Sequence, residues 1–492
     1  MTEPIVVASD AATSIFNLPD YRVISATVLD DGRRRVIVET DQPPGCPSCG
    51  VVATRRKERR FQRIRDIPVA GALGVLWSKY RLYCEEPKCS RLSFFESPAQ
   101  VPRRTRSTGR LRDHVVDAVI SSGRAVSETA EAFAVSWWMV RAALTEACLL
   151  TLPDVDELRP RMLGIDEHRF RSVRYFRDPD SPSWIRREPW MTTIVDLDTG
   201  QVLGVVDGRD HRGVGDWLFA RPLAWRLGVQ VVAIDPSAAF RKALRMWLPR
   251  TAVAVDHFHL VSLGNQAMTE ARQNLSQQIK GRRGRGVDKA WAHRMLLLRA
   301  GDTLSDKAAH RLDQVFAADD ATGKLQAVWK VKEQLRLLLR TNSLADAAAA
   351  KEDLKVLVDA AGRPETNKLY RTICRWWNEI EVLIVTGATT GKVEANNTGI
   401  KHIKRTARGY RNAGNYKSII LMRSAVRTAA RTFTAQCKSP RTAESRHDRG
   451  QAEPVPAGQG PPWPRRGQGL GPPDATPSGR RHALREGSTP AG

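Results

Sequence analysis

The chain has 492 residues and a formal net charge of +25, because 78 Lys and Arg residues outnumber 53 Asp and Glu residues. This excess indicates a polyanionic partner, and the length indicates about two to four domains. No apolar run approaches the roughly 20 residues of a membrane span, and the first residues lack the basic and then apolar pattern of a signal peptide. These features argue against a membrane or secreted protein, and we expect the chain to reside in the cytoplasm.

After an N-terminal segment, residues 1–42, cysteines cluster within residues 43–100. The segments GCPSCG and YCEEPKCS supply two close pairs, with the basic stretch RRKERRFQRIR between them: Cys46, Cys49, Cys84 and Cys89. Two close pairs separated by a loop are typical of a tetrahedral thiolate site, in which one zinc ion holds together two hairpins that could not fold alone. The alternative is four unrelated buried thiols. The spacing favours a zinc finger with a structural Zn²⁺.

The pattern becomes helical over residues 108–152. The stretch RAVSETAEAFAVSWWMVRAALTEA predicts a helix, a short turn at AVS and a second helix that begins near Ser136. This arrangement is typical of a helix-turn-helix, whose second helix enters the major groove of DNA with its early residues. Trp137 and Arg141 are then the candidates for DNA contact. The alternative is an ordinary helical hairpin inside a bundle.

Strands follow a linker and occupy residues 160–262. We expect three strands, a helix, the β-branched strand VQVVAI, a second helix and a fifth strand, with a tight turn at Gly200 between the second and third strands. This order is typical of a ribonuclease-H-like mixed sheet, in which the first and fourth strands are neighbours. Asp166 ends the first strand and Asp235 ends the fourth, so their carboxylates should lie side by side. The predicted fold is multidomain α/β, with this sheet as its core.

Amphipathic helices fill residues 263–385 and form an all-helical insertion, and residues 386–432 return to the core. The stretch TGKVEANNTGIKHIKRTARGYRN places one acid, Glu394, among amides and bases. In a helix, Asn397 lies on the same face as Glu394, and a cationic stripe for a DNA backbone follows it: Lys401, Lys404, Arg405 and Arg408. Residues 436–492 are rich in Pro, Gly and Arg and predict a disordered tail.

Clustered carboxylates are what chemistry on phosphodiesters requires, because hard oxygen ligands can hold two Mg²⁺ (or Mn²⁺) ions about 3.5–4 Å apart. We therefore expect Asp166, Asp235 and Glu394 to be the catalytic metal ligands. Each has an alternative interpretation. Glu167 could replace Asp166 as the ligand, Asp235 could cap the following helix, and Glu394 could be a solvated charge in a basic helix.

Asp256, His257 and His259 also resemble metal ligands, because two histidines two positions apart on a strand share a face. No further ligand lies nearby in the sequence. We expect them to be structural neighbours of the site or to contact DNA, with direct metal contact as the alternative.

Five motifs occur in one order: CPSC with CxxxxC and RxxFxE; GIDEHRF; VDLDTGQVLGVVDGRD; IDPSAAFRKAL with VDHFHL; and TGKVEANNTGIKHIKRTARGYRNAGNYKSIILMR. Together, from about Pro43 to about Arg431, they resemble the ISL3 family of insertion-sequence DDE transposases. The resemblance implies a zinc finger, a helix-turn-helix and a ribonuclease-H-like core, with the catalytic triad at Asp166, Asp235 and Glu394. The tail departs from the family pattern.

The resemblance also implies a bacterial, nucleoid-associated enzyme that binds the terminal inverted repeats of its element and works as a dimer or larger assembly. It would cleave DNA at the element boundary and join the released 3′-OH to target DNA. Two alternatives remain open. One is a DNA-binding repressor or remnant transposase without catalysis, and the other is a hydrolytic nuclease of the same fold.

Overall fold

The computed structural model describes residues 10–69, 71 and 73–438, and the side chains of residues 10–69, 71 and 73–431. The predicted disordered tail, residues 436–492, lies outside the described residues except for its first three positions, which form the end of a helix. In the described part of the chain no single helix is long and apolar enough to cross a membrane. One pair of helices, Val126–Ala132 and Trp137–Thr151, meets the length and composition test together but is bent by 115°.

A five-stranded sheet forms the N-terminal part of the fold, and its strands pair in the order β1-β2-β4-β3, with β5 on β4. Its elements are α1 (Ala11–Phe16), β1 (Tyr21–Val28), β2 (Arg34–Thr40), β3 (Arg56–Ile64), β4 (Leu73–Tyr83) and β5 (Ser93–Phe95). Because β2 pairs with β4, the strands before residue 43 belong to the same sheet as the strand that precedes the second cysteine pair. Trp77 is fully buried in the core of this sheet, in edge contact with Tyr21. Both strands of the N-terminal segment that the structure describes, β1 and β2, therefore belong to this sheet.

Three helices follow: α2 (Gly109–Ile120), α3 (Val126–Ala132) and α4 (Trp137–Thr151). Ser136 caps α4, since its side chain accepts a hydrogen bond from the N–H of Met139. This is where the sequence predicts the second helix to begin. The 115° bend between α3 and α4 matches the crossing that a helix-turn-helix requires.

The central sheet has the strand order β10-β9-β6-β11-β12. Its strands are β6 (Met162–Arg169), β9 (Trp190–Asp196), β10 (Val202–Asp207), β11 (Val231–Ile234) and β12 (Ala252–Val255), and a separate hairpin of β7 (Arg174–Arg177) and β8 (Trp184–Arg187) is inserted between β6 and β9. β6 pairs with β11 in parallel and with β9 in antiparallel orientation. The first and fourth strands of the core are thus neighbours, as expected. Gly200 has φ +82 in the tight turn between β9 and β10.

Helices cover both faces of this sheet. Before β12 the chain forms α5 (His211–Phe219), α6 (Leu223–Gly228) and α7 (Ala238–Trp247). After β12 it forms α8 (His257–Lys280), α9 (Lys289–Ala292), α10 (Arg294–Leu298), a 3₁₀ turn (Gly301–Thr303), α11 (Asp306–Asp319), α12 (Lys324–Leu338), α13 (Leu344–Ala361), α14 (Pro364–Arg375), α15 (Trp377–Thr386), α16 (Gly391–Thr406) and α17 (Ala413–Lys438).

Two apolar cores pack against the sheet, and each core includes a different set of helices. One core joins the sheet to α16, α17 and the three helices α2 to α4, and the other joins it to α5, α7, α8 and the following helices. Along β6, Leu163 and Ile165 therefore face α5 and α7, whereas Gly164 and Asp166 face α16. This alternation turns Asp166 toward the helix that carries Glu394.

Candidate active site

The parallel ladder between β6 and β11 ends at the pair of Ile165 and Ile234, and the predicted aspartates come directly after this pair. β6 itself continues to Arg169, so the prediction that Asp166 ends the first strand is wrong. Asp166 lies in β6 opposite Thr193 of β9, and Asp235 directly follows Ile234, the last residue of β11. Because parallel neighbours end at the same edge of a sheet, the two carboxylates meet there. Asp166, Glu167 and Asp235 each offer an oxygen, and these atoms lie within 4.8 Å of one another.

Asp166 is held by an amide from α16. Its Oδ2 accepts a hydrogen bond of 2.6 Å from Nδ2 of Asn397, and its Oδ1 accepts one of 2.7 Å from the N–H of Glu167. Asn397 is buried, and its Oδ1 accepts in turn from the hydroxyl of Thr193. Burial, and then the nearby charge of Asp235, raise the pKa of Asp166 to about 7. The same two causes raise the pKa of Glu167.

Asp235 has one paired and one unpaired oxygen. Its Oδ2 lies 2.9 Å from Nε2 of His259, while its Oδ1 is buried and has no hydrogen-bond partner among the residues that the structure describes. Ser237 caps α7, because its side chain accepts from the N–H of Phe240. Asp235 therefore does not cap α7, which was its alternative interpretation. A buried carboxylate oxygen without a donor is costly unless a cation is near it.

Asp256, His259 and Glu394 form a second group, whose ligand atoms also lie within 4.8 Å of one another. Asp256 is fully buried and caps α8. It accepts from Nδ1 of His259 at 3.2 Å and from the N–H of Thr390 at 3.0 Å. Hydrogen bonds with Asp235 and then with Asp256 raise the pKa of His259 to about 10. Burial acts to raise the pKa of Asp256, but the hydrogen bonds from His259 and Thr390 bring it down to about 2.

The prediction that His257 and His259 share a face of a strand is wrong. β12 ends at Val255 and α8 begins at His257, so both histidines lie in the first turn of a helix. Side chains two positions apart on a helix point in different directions. Only His259 reaches the carboxylates, and His257 stacks on Phe258 with ring centroids 4.0 Å apart.

The three predicted catalytic acids are thus distributed over two adjoining groups. Asp166 and Asp235 lie in the first group with Glu167, and Glu394 lies in the second. His259 connects the groups, since it contacts Asp235 and Asp256 at once. The clustered carboxylate oxygens, with one of them buried and unpaired, fit a hard divalent cation such as Mg²⁺.

The four predicted cysteines also come together, with their sulfurs within 4.8 Å of one another: Cys46, Cys49, Cys84 and Cys89. The first pair lies in a turn whose ends are bridged between Gly45 and Val52, and the second pair lies between β4 and β5. Burial opposes ionisation of Cys46, yet the backbone N–H groups of Ser48 and Cys49 bring the pKa of its thiol down to about 6. A thiolate set of this kind suits a structural Zn²⁺.

The residues predicted to contact DNA differ in how exposed they are and in whether they already make hydrogen bonds within the protein. Trp137 is 38% exposed at the start of α4. Arg141 is not free to reach a base edge in this structure, because its guanidinium donates to Oδ1 of Asn415 at 2.6 Å and is half-buried against α17. Nζ of Lys404 donates to the carbonyl oxygen of Arg169 at the end of β6. The other members of the cationic stripe are exposed: Lys401, Arg405 and Arg408.

No residue of the basic stretch that forms β3 was among the predicted DNA contacts. β3, β4 and the loop before α2 surround an open cavity of about 580 Å³. Its lining combines bases with two aromatic rings: Arg60, Phe61, Arg63, Lys79, Phe95, Arg104 and Arg106. The stretch RRKERRFQRIR was the signal for this surface, since clustered Lys and Arg residues are typical of a nucleic-acid-binding face.

A family model for ISL3 transposases of the DDE type matches residues 163–420, which is more than half of the chain. The chain belongs to the ISL3 family of transposases. A second model, for the zinc-finger of the transposases IS204, IS1001, IS1096 and IS1165, matches residues 42–89. No curated protein matches the chain. The predicted resemblance to ISL3 transposases is confirmed, and both carboxylate groups and all four clustered cysteines lie inside the matched segments.

Proposed function

We propose that this ISL3 transposase binds the terminal inverted repeats of its insertion sequence and catalyses metal-dependent DNA cleavage and strand transfer in a ribonuclease-H-like core. The observation that carries the proposal is the position of Asp166 and Asp235 directly after the last residue pair of the parallel ladder between β6 and β11, with Oδ1 of Asp235 buried and, among the described residues, unpaired. The strand order, with the first strand between the second and the fourth, supports the fold assignment.

Asp166, Asp235 and Glu394 would hold two Mg²⁺ ions, with Glu167 next to them as a further oxygen donor. When bound, such ions activate the attacking oxygen and stabilise the leaving oxygen of an in-line displacement. The protein's own contribution is orientation. Asn397 donates to Oδ2 of Asp166 and thereby fixes the orientation of that carboxylate.

His259 has a comparable role on the other side of the site. Its Nε2 holds Oδ2 of Asp235 and its Nδ1 is held by Asp256, so that the ring has two fixed neighbours. Asp256 also accepts the N–H of Thr390, the residue that precedes α16. These contacts tie the start of the Glu394 helix to the end of β12. Glu394 is thereby kept beside the aspartates although it is far from them in sequence.

DNA would bind along the basic surfaces. The N-terminal sheet offers the open cavity lined by Arg60, Arg63 and Lys79, and α16 offers Lys401 and Arg405 at its surface. Phosphate contacts of this kind position a duplex without reading its sequence. Sequence readout would fall to the zinc finger and to the helix-turn-helix, around Trp137. Two bound ends require at least two copies of the chain, so the active assembly is a dimer or larger.

The test is Mg²⁺-dependent cleavage and strand joining on a duplex that carries the DNA flanking the coding sequence. Wild type should cut at the element boundary and join the end to target DNA. Asp235→Asn and Glu394→Gln should bind the same duplex but neither cut nor join it. Asp216→Asn, an exposed acid on α5, is the matched control and should behave as wild type. Specific binding without cleavage by wild type in Mg²⁺ or Mn²⁺ would favour the DNA-binding repressor instead.

A further inference from the structure

The hairpin of β7 and β8 has no counterpart in the sequence prediction and is unusual for its exposure. All eight of its strand residues are exposed. Four of them carry large apolar side chains: Tyr175, Phe176, Trp184 and Ile185. The other four are arginines: Arg174, Arg177, Arg186 and Arg187. A two-stranded hairpin alone is marginally stable in water, so exposed rings at this place indicate a surface that acquires a partner.

The pairing register assigns these side chains to two faces. Arg174 pairs with Arg187 and Phe176 pairs with Ile185, so these four share one face, and the intervening residues, Tyr175 among them, share the other. The face with Phe176 borders an open cavity of about 470 Å³. The cavity has an apolar floor and a cationic rim, formed by Phe170, Phe176, Pro189, Trp190, Met191, Arg171, Arg174 and Arg187.

The two acids that line this cavity do not offset its positive rim. Glu188 is paired with Arg169 and Arg186, and Asp207 is paired with Lys417 at 3.0 Å. The lining of the cavity therefore combines aromatic rings with positive charge that has no ion pair among the described residues, and the ring of Trp190 already has the guanidinium groups of Arg209 and Arg169 4.8 and 5.1 Å from its centroid. Its volume lies within the range of about 300–1,000 Å³ that is usual for small-molecule sites, and it can hold one planar ring system.

The cavity lies beside the carboxylates. The ladder of β6 and β9 continues past Arg169, since the N–H of Phe170 donates to the carbonyl oxygen of Pro189 at 2.9 Å. Phe170 is four positions after Asp166 on one extended strand, which corresponds to roughly 13 Å. At the spacing of about 3.4 Å per nucleotide along one strand of a duplex, this is about four nucleotides.

We propose that this cavity binds an unpaired nucleobase of the DNA strand whose phosphodiester lies at Asp166 and Asp235, and this inference rests on the proposed function. The ring would stack against Phe176, and Arg174 and Arg187 would contact the flanking phosphates. Stacking requires the face of the base, which a duplex hides between its neighbours. The substrate class for this surface is therefore DNA with unpaired nucleotides near the cleavage point, and not a continuous duplex.

The experiment uses the full chain and two probes: a short blunt duplex, and the same duplex extended by about four unpaired nucleotides that include 2-aminopurine. Wild type should bind the extended probe more tightly and quench its fluorescence. Phe176→Ala should keep the blunt-duplex affinity and lose roughly 5- to 100-fold of the preference for the extended probe. The matched control is Tyr175→Ala, which removes an exposed ring from the opposite face of the same hairpin and should keep that preference.

Equal binding of the two probes by wild type, or an equal loss in Phe176→Ala and Tyr175→Ala, would overturn the inference while leaving the proposed function intact. Failure of wild type to bind either probe would overturn the proposed function as well. Phe176 is 46% exposed, so its removal leaves the apolar cores of the central sheet unchanged. If both variants have the same melting temperature as wild type, their fold is retained.

Discussion

A single methyl group added at Gly164 tests how tightly the Glu394 helix is packed on the strand that carries Asp166. A Cβ at this position would lie 2.4 Å from Cγ2 of Val393 and 2.8 Å from Cδ2 of Leu197. Val393 is fully buried and immediately precedes Glu394, so the Val393 side chain must shift, and we expect α16 to shift with it. Overpacking of this kind costs about 1–3 kcal/mol.

We therefore expect Gly164→Ala to lower the melting temperature by about 2–12 °C, given about 2–4 °C per kcal/mol for a large domain. Cleavage measured well below that temperature should fall further than the loss of folded protein explains, because Glu394 moves with α16. Gly228→Ala is the control, since a Cβ there meets no atom within 4 Å. Its melting temperature should stay close to that of wild type.

A double-mutant cycle identifies the cause. Val393→Ala removes the methyl group that Gly164→Ala would meet, so the two changes together should cost less than the sum of their separate effects, by about 0.5–3 kcal/mol. Differential scanning fluorimetry on the four proteins measures this difference. If Gly164→Ala melts like wild type, or if the two effects simply add, the proposed contact between β6 and α16 is not the constraint on Glu394.

Three further predictions concern zinc, pH and DNA. Elemental analysis should find one zinc per chain in wild type but little in Cys49→Ser. Cys374 is an exposed thiol outside the cluster, so Cys374→Ser is the control and should keep its zinc. Retention of zinc by Cys49→Ser would contradict the four-thiolate site. The pKa of Asp166 is raised from its usual 3.8 to about 7. Between these pH values the folded chain keeps a proton that the unfolded chain releases, so the free energy of unfolding falls as pH rises. Without metal, Asp166→Asn should therefore melt above wild type by a larger margin at about pH 8 than at about pH 5, and a gap that is largest at low pH would be the wrong sign. Arg63→Ala should reduce the slope of log affinity against log salt by about 0.9 for duplex DNA, and an unchanged slope would remove this side chain from the DNA surface.

Much of the central sheet could be predicted from the sequence, because local signals marked it. The β-branched run before Asp235 forms the buried strand β11, and the turn at Gly200 separates β9 from β10. Strand order then placed Asp166 beside Asp235. The hairpin of β7 and β8 was missed for a physical reason: neither of its faces packs on a core, so its arginines and aromatic rings show no alternation of buried and exposed positions.

Contacts between distant segments could not be predicted. Asp256 meets the N–H of Thr390, 134 positions later, and this contact places Glu394 in the group with His259. Arg141 is held by Asn415, which no local pattern indicates. The histidines were assigned to a strand because an apolar run leads directly into them. The capping aspartate at position 256 was the available signal that α8 begins at once.

Anomalous diffraction from crystals soaked in Mn²⁺ locates the ion itself. We expect a peak between the carboxylates of Asp166 and Asp235, in contact with Oδ1 of Asp235, and no such peak in Asp235→Asn. A peak confined to the group of Asp256, His259 and Glu394, or none in wild type at saturating Mn²⁺, would contradict this expectation.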